Sequence, residues 1–279
     1  MGKIKLHPID TDFIKEYCEW KENTSLVTHK KFENDDLGRL NMLSNTCQCL
    51  IGYYTHLKEN KTKAINYFLL TQRAMKWYFK MATEEKGKIT RIRLNDEWTF
   101  NIEAYPIRDF VDCSSWEETL YDAVIARDKE AIEWLLEFPE ARMRDATSQG
   151  PEYTYLYVDF LKAYFKKSPD VGKKLLQAYK STDPSLVYKE YMGTMLNHDA
   201  PIFDLWASFL SDKEEEFNQR LEKALLLYRD YCSDDPKNAY ILISYPLTAL
   251  AAMAHDRGWK LTVSSDYMPE WMIKGVFGK

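Results

Sequence analysis

Glycine and proline are scarce in this 279-residue chain, at 10 of each. That scarcity argues against a turn-rich all-β fold, a collagen-like repeat or a long low-complexity tract. Cysteine is sparse and odd in number: Cys18, Cys47, Cys49, Cys113 and Cys232 are scattered along the chain. Such a set is a poor disulfide framework and points to a reducing compartment. No apolar run approaches membrane-spanning length, and the opening MGKIKLHPIDTD lacks an apolar h-region. The expectation is a cytoplasmic protein with no membrane partner. A basic excess is missing too. The formal net charge is −5, which argues against nucleic-acid binding, because neutralising phosphates needs a basic surface. There is no Gly-rich phosphate loop, GxSxG elbow, CxxC pair or HExxH spacing.

What is present suits a helical body with a substantial core. Hydrophobic residues make up 45% of the chain, and its aromatics include 19 Tyr, 13 Phe and 8 Trp. Tyrosine serves both helix packing and protein interfaces, because its ring is apolar and its hydroxyl is not. The least polar stretch, YPLTALAAMAHDRGWKLTVSSDYMPEW, is the segment against which the other helices are expected to pack. Leu247, Leu250, Ala251 and Ala254 recur at helical spacing. Gly258 reads as the helix stop, since glycine enters the left-handed region without a Cβ clash. Trp259, Leu261 and Val263 then alternate with polar residues, as in an extended tail.

Earlier segments follow the same reasoning. Thr11 or Asp12 caps a helix to Trp20. Asp35 and Asp36 open a longer one reaching residue 57. Asn60 starts a third, making an antiparallel pair with the second. Ile89, Ile92 and Leu94, then Trp98, Phe100 and Ile102, flank Asn95-Asp96-Glu97 and predict a β-hairpin ended by Pro106. Ser114 with Glu117, or Ser115 with Glu118, fits a capping box. Asp128 caps the next helix. A loop is expected over 141–150, then helices over 153–165, 171–179, 186–196 and 202–210. Pro169, Pro184 and Pro201 sit where first helical turns tolerate proline. Asp212 starts a long amphipath.

The fold expectation is all-α, an irregular multi-helix bundle or α-solenoid-like body with one small β-hairpin and a short extended C-terminal tail. No fixed repeat period is found. The chain divides into a helical region 1–86, a hairpin insertion 87–110 and a helical region 111–279 that packs with the N-terminal helices.

No constellation stands out as catalytic. Cys47 and Cys49 diverge on a helix, and Cys47 reads as a core residue. His198 lies before a helix start, with Asp199 as an ordinary cap, and His255-Asp256 has no ligand spacing. Glu117-Glu118 and Asp234-Asp235 read as carboxylates complementing helix dipoles. Asp256 or Arg257 is expected to pair with Asp266 or another charge and lock the tail. Asp266-Tyr267 reads as a turn with an aromatic anchor. The body is expected to lack an ionisable cleft, a metal and a cofactor.

Three groups of residues carry a resemblance. Ser115, Trp116, Glu117, Leu120, Ala123 and Ala126-Arg127-Asp128 form the first. Phe217-Asn218, Leu221, Ala224-Leu225 and Tyr228 form the second. Pro246-Leu247, Ala254, Asp256-Arg257-Gly258, Val263 and Ser265-Asp266-Tyr267-Met268-Pro269 form the third and most specific. Together they resemble the Immunity 49 family over roughly residues 111–271. Where many relatives carry an apolar residue or Tyr before Asp-Arg-Gly, this chain has His255. The resemblance implies a mostly helical bacterial immunity protein that binds a cognate polymorphic toxin, with no catalytic residue and no cofactor.

The partner is therefore expected to be a toxin, a basic one if it meets this acidic surface. Homo-oligomerisation stays open. Exposed candidates for contact are Trp98 on the hairpin, Arg142, Arg144 and Asp145 in the expected loop, and Glu214, Glu215 and Glu216 at a helix start. Two rivals remain: an enzyme that removes a toxic modification using His255 and Asp256 near Asp266, and a generic helical scaffold.

Overall fold

The structure is a computed structural model that describes residues 2–28 and 37–277. The chain is all-α but for one two-stranded antiparallel sheet among the described residues. Helix α1, Thr11–Trp20, is capped by Asp10, whose carboxylate accepts from the Phe13 amide. Thr11 and Asp12, the expected caps, already lie inside the first turn. The expected helix opening at Asp35 and Asp36 falls outside the described residues.

Helices α2, Gly38–His56, and α3, Lys61–Thr83, run antiparallel. Tyr54 stacks on Tyr67 at one end, and the Thr71 hydroxyl reaches the Ser44 carbonyl toward the other. Asn60 caps α3 by accepting from the Lys63 amide. The pair is dense enough that Gly52 is required: a Cβ there would lie 2.8 Å from the Leu242 Cβ. Side chains such as Leu50, Ile51 and Phe68 are fully buried, each stabilising the fold by about 1.5–3 kcal/mol.

Strands β1, Ile89–Arg93, and β2, Thr99–Glu103, pair with Ile92 opposite Phe100. Asn95 shapes the turn, its side chain accepting from the Glu97 and Trp98 amides, which is an Asx-type turn. The hairpin is pinned to the helical pair: Arg73 donates to the Leu94 carbonyl, and the Arg39 guanidinium lies over the Phe100 ring.

Helix α4, Cys113–Ala126, is capped by Asp112, which accepts from the Ser115 amide. The capping boxes built on Ser114 and Ser115 are therefore not formed. Glu117 and Glu118 lie beyond the first turn and are free to face elsewhere. Arg127 ends α4 in the left-handed region at φ 57°. Asp128 caps α5, Lys129–Leu136, through the Ala131 amide. Part of the expected loop is a short helix, α6, Glu140–Arg144. Helices α7, Glu152–Phe165, and α8, Val171–Lys180, follow.

No single helix spans 186–196. Asp183 instead takes both the amide and the hydroxyl of Ser185 in a turn, the kind of side-chain competition that defeats helix starts. A 3₁₀ turn, Lys189–Tyr191, then an α turn, Met192–Thr194, and a π turn, Met195–Asp199, lead straight into α9, Ala200–Leu210. Pro201 sits in a first helical turn, whereas Pro169 and Pro184 lie in turns outside helices. Helix α10, Glu214–Cys232, begins two residues after Asp212, whose φ of 55° closes the preceding helix.

Helix α11, Tyr245–Asp256, is buried along most of its length, and Gly258 stops its turn at φ 92°. The tail after it is extended without a strand ladder. The Asn218 amide takes a strand's place, donating to the Lys260 carbonyl and accepting from the Thr262 amide at 2.7 Å. Further on, the tail pairs with the chain's beginning: the Ile4 amide donates to Ser264 and the Asp266 amide donates to Ile4. Pro269 precedes the last short helix, α12, Glu270–Ile273. One contiguous apolar core runs from Ile4 through α2, α4, α9 and α11 to Ile273.

Candidate functional site

The motif residues hold the C-terminal tail. Arg127 donates to both carboxylate oxygens of Asp256, at 3.0 and 2.9 Å, and to the carbonyls of Ile125, Met272 and Ile273. Asp256 thus pairs with the end of α4, not with Asp266, and burial notwithstanding, Arg127 keeps its carboxyl below the usual range. Arg257 stacks on Phe209 with its guanidinium carbon 3.7 Å from the ring centroid, and donates to the Phe209 carbonyl. Asp266 pairs with Lys3 and accepts from the Leu6 amide. Tyr267 is fully buried, and its hydroxyl accepts from the His7 amide at 2.9 Å. Trp116 is fully buried and donates to the Leu135 carbonyl. Asp128 also takes Gln72 and Lys76.

The expected contact residues are mostly engaged within the chain. Trp98 is only 5% exposed and packs on Phe100, because the hairpin lies down on α2 and α3. Arg142 donates to the carbonyls of Ala82 and Ile107. Arg144 bridges Glu140 and Glu152, and Asp145 pairs with Arg108. Glu214 accepts from the Lys260 amide, and Glu216 pairs with Lys213 and Arg220. Glu215 is exposed.

His255 and Asp266 line one pocket of about 650 Å³ beside the tail, with Lys3 and His56, but Asp256 is not part of it. The His255 Nδ1 lies 3.3 Å from Asp256, whose oxygens face Arg127, and Asp266 faces Lys3. All five cysteines are free and buried, Cys47 and Cys49 among them. Among the described residues no group of three or more His, Cys, Asp or Glu side chains is arranged to hold a metal.

A second ionisable cleft exists elsewhere, and the two correct the expectation of a body without one. This second cleft has a volume of about 380 Å³ and lies where α4, α7, the 191–199 turns and the start of α11 meet. Its walls are tyrosines, including Tyr121, Tyr153, Tyr157, Tyr228 and Tyr245, and its acids are Asp112, Glu117, Glu118 and Asp199. Helical spacing aims them inward: Glu117 and Tyr121 are four apart on α4, and Tyr153 and Tyr157 four apart on α7. Asp199 is no cap. It accepts from the Tyr153 hydroxyl at 2.6 Å and faces the His198 Nδ1 at 2.7 Å. The Trp206 indole donates to the Tyr157 hydroxyl, which also meets that of Tyr121.

Burial pushes the Glu117 carboxyl well above the ordinary range, and the neighbouring Asp199 and Glu118 push the same way. Glu118 is open to the cleft yet ringed by protein, and burial, with Asp112, raises its carboxyl too. Its other face meets a further pocket of about 300 Å³, lined by Asn41, Gln48, Phe110, Thr119, Asp122 and others. Asp122 is 3% exposed, and its Oδ1 has no hydrogen-bond partner. Burial first, then Glu118, raises its carboxyl well above the usual value. Among the described residues, no lysine or arginine lines either this cleft or the pocket beside it.

The sequence reading missed this site because Glu117, Glu118 and Asp199 each have an ordinary local explanation. The available signal was the spacing of Glu118 and Asp122, two acids four apart on a helix otherwise rich in apolar residues. Like charges so placed repel.

The sequence model of Immunity protein 49 matches residues 54–272, and the chain belongs to that family. The match begins at α2, well before the expected residue 111, so α3 and the hairpin lie within it. No curated protein and no solved structure matches the chain.

Proposed function

We propose that this member of the Immunity protein 49 family binds a cognate toxin in the cytoplasm and holds it inactive as a one-to-one complex. One observation supports the reading beyond family membership. The paired pockets offer tyrosine faces and carboxyls with no lysine or arginine in their lining among the described residues. Tyrosine anchors inside a charged surround are typical of binding hot spots, and an acidic surface speeds encounter with a basic partner. The partner is the toxin encoded beside this chain's gene. Co-expression is expected to rescue cells from it, and the purified pair to co-elute and to show saturable heat in calorimetry. A toxin that is neutralised without any detectable complex overturns the reading.

A second reading has one observation in its favour. Glu117, its carboxyl raised by burial, lies beside Tyr121, and His198, Asp199 and Tyr153 form a chain along the same cleft. Such groups could move a proton in an enzyme that reverses a toxic modification. That reading predicts protection at substoichiometric amounts, lost in His198→Ala. The binding reading predicts that His198→Ala still protects.

A further inference from the structure

The pocket beneath Glu118 has an unusual inventory. It is about 300 Å³, at the small end of ligand sites and too small for a cofactor. Its lining supplies acceptors: the carboxyls of Glu118 and Asp122 and the side-chain amides of Asn41, Asn45 and Gln48. Gln48 already donates to Glu118, at 3.5 Å. At the rim stands Phe110, 53% exposed and held at φ 52°. An exposed aromatic face beside carboxyls is what a planar cation prefers.

The decisive feature is Asp122. A carboxyl that is 97% shielded with an unpartnered oxygen costs stability, since buried polar groups are ordinarily hydrogen-bonded. Among the described residues, the charged neighbour that acts on it is Glu118, of the same sign. Among the described residues no positive charge lines the pocket, and its volume has room for one. An ammonium presents a point charge, whereas a guanidinium presents a flat fork of donors that can serve two carboxyls at once and stack on an aromatic ring.

We propose that the Asp122–Glu118 pocket is a receptor for a guanidinium group, supplied by an arginine side chain of the bound toxin. The source rests on the toxin-binding reading; the pocket itself does not. Ionised Asp122 and Glu118 take the two edges of the fork, and Phe110 covers its face.

The test has two independent arms. In the first, ethylguanidinium is titrated into the protein alone and followed by NMR. Saturable shifts are expected in the wild type, with affinity reduced at least tenfold in Asp122→Asn and in Glu118→Gln. Both substitutions remove charge without volume, and circular dichroism verifies the fold. No saturable binding, or binding unchanged in both variants, overturns the pocket assignment. In the second arm, toxin affinity is compared by calorimetry, and each substitution is expected to weaken it at least tenfold. A toxin bound equally well by wild type and both variants overturns arginine as the source. A wild type that binds ethylguanidinium but no toxin overturns the function proposed above and leaves the pocket standing.

Discussion

Removing the Arg127 side chain tests how the end of α4 is joined to the C-terminal tail. Its guanidinium makes two different kinds of contact. The first is the two-point pair with Asp256, whose side chain is 50% exposed. A pair that open to water contributes about 0–1 kcal/mol. The second is a set of bonds to the carbonyls of Met272 at 2.9 Å and Ile273 at 2.6 Å, across the tail junction. Hydrogen bonds from a charged donor contribute about 1.5–3 kcal/mol each. Because the two share one donor group, they do not add fully. Arg127→Ala is therefore expected to cost about 3–4 kcal/mol, and Asp256→Asn less than about 1 kcal/mol.

Backbone conformation supplies an internal control. Arg127 sits at φ 57°, where a non-glycine residue is strained by about 1–2 kcal/mol. Arg127→Gly should lose the same contacts but relieve that strain, ending about 1 kcal/mol above the alanine variant. Gly275, at φ 64°, leaves the space the guanidinium fills; a Cβ there would stand 3.2 Å from the Arg127 Cζ. Urea unfolding followed by tryptophan fluorescence gives the three values, and hydrogen exchange reports whether residues 270–277 loosen first. Equal losses in Asp256→Asn and Arg127→Ala would refute the reasoning, because the ion pair would then be the whole bond.

Other substitutions probe separate parts of the account. Gly52→Ala places a Cβ against Leu242 and should cost about 1–3 kcal/mol as overpacking, read as a lowered denaturation midpoint; Gly172→Ala, with open space around it, should raise the midpoint by the equivalent of about 0.5–1 kcal/mol. Tyr267→Phe leaves the buried His7 amide without its acceptor and should cost about 1–3 kcal/mol, with faster hydrogen exchange over residues 4–7. The Asp122 carboxyl is raised in the folded chain, so the folded state keeps a proton the unfolded chain releases. Stability then falls as pH rises from the ordinary carboxylate range, and Asp122→Asn, which cannot ionise, should gain on the wild type as pH rises above about 4 in matched urea titrations. A constant difference across that range would contradict the assignment.

Local chemistry made much of the architecture legible. Asn60 and Asp128 cap helices as their neighbours' spacing suggests, Gly258 stops α11, and the alternation of Ile92, Leu94, Trp98, Phe100 and Ile102 marks the hairpin. Misreadings arose where side chains compete with the backbone. Asp183 and Ser185 make a turn where apolar spacing suggests helix, and Asp112 outcompetes Ser114 and Ser115 for the start of α4. Long-range pairings were not legible at all. Nothing in the spacing says that Asp266 meets Lys3, or that Asp256 meets Arg127, since those partners are set by how helices pack. The cleft stayed hidden for the same reason. Glu117, Asp199 and Tyr153 come from three elements, and each side chain alone looks like a cap, a surface charge or a packing residue.

Stoichiometric neutralisation is the claim on which the functional account stands. Its most direct measurement is the residual activity of a fixed amount of the neighbouring toxin, read while this protein is added in steps. The account predicts a linear fall that ends sharply at one equivalent. Full protection at a small fraction of an equivalent, deepening with time, would contradict it and identify a catalyst instead.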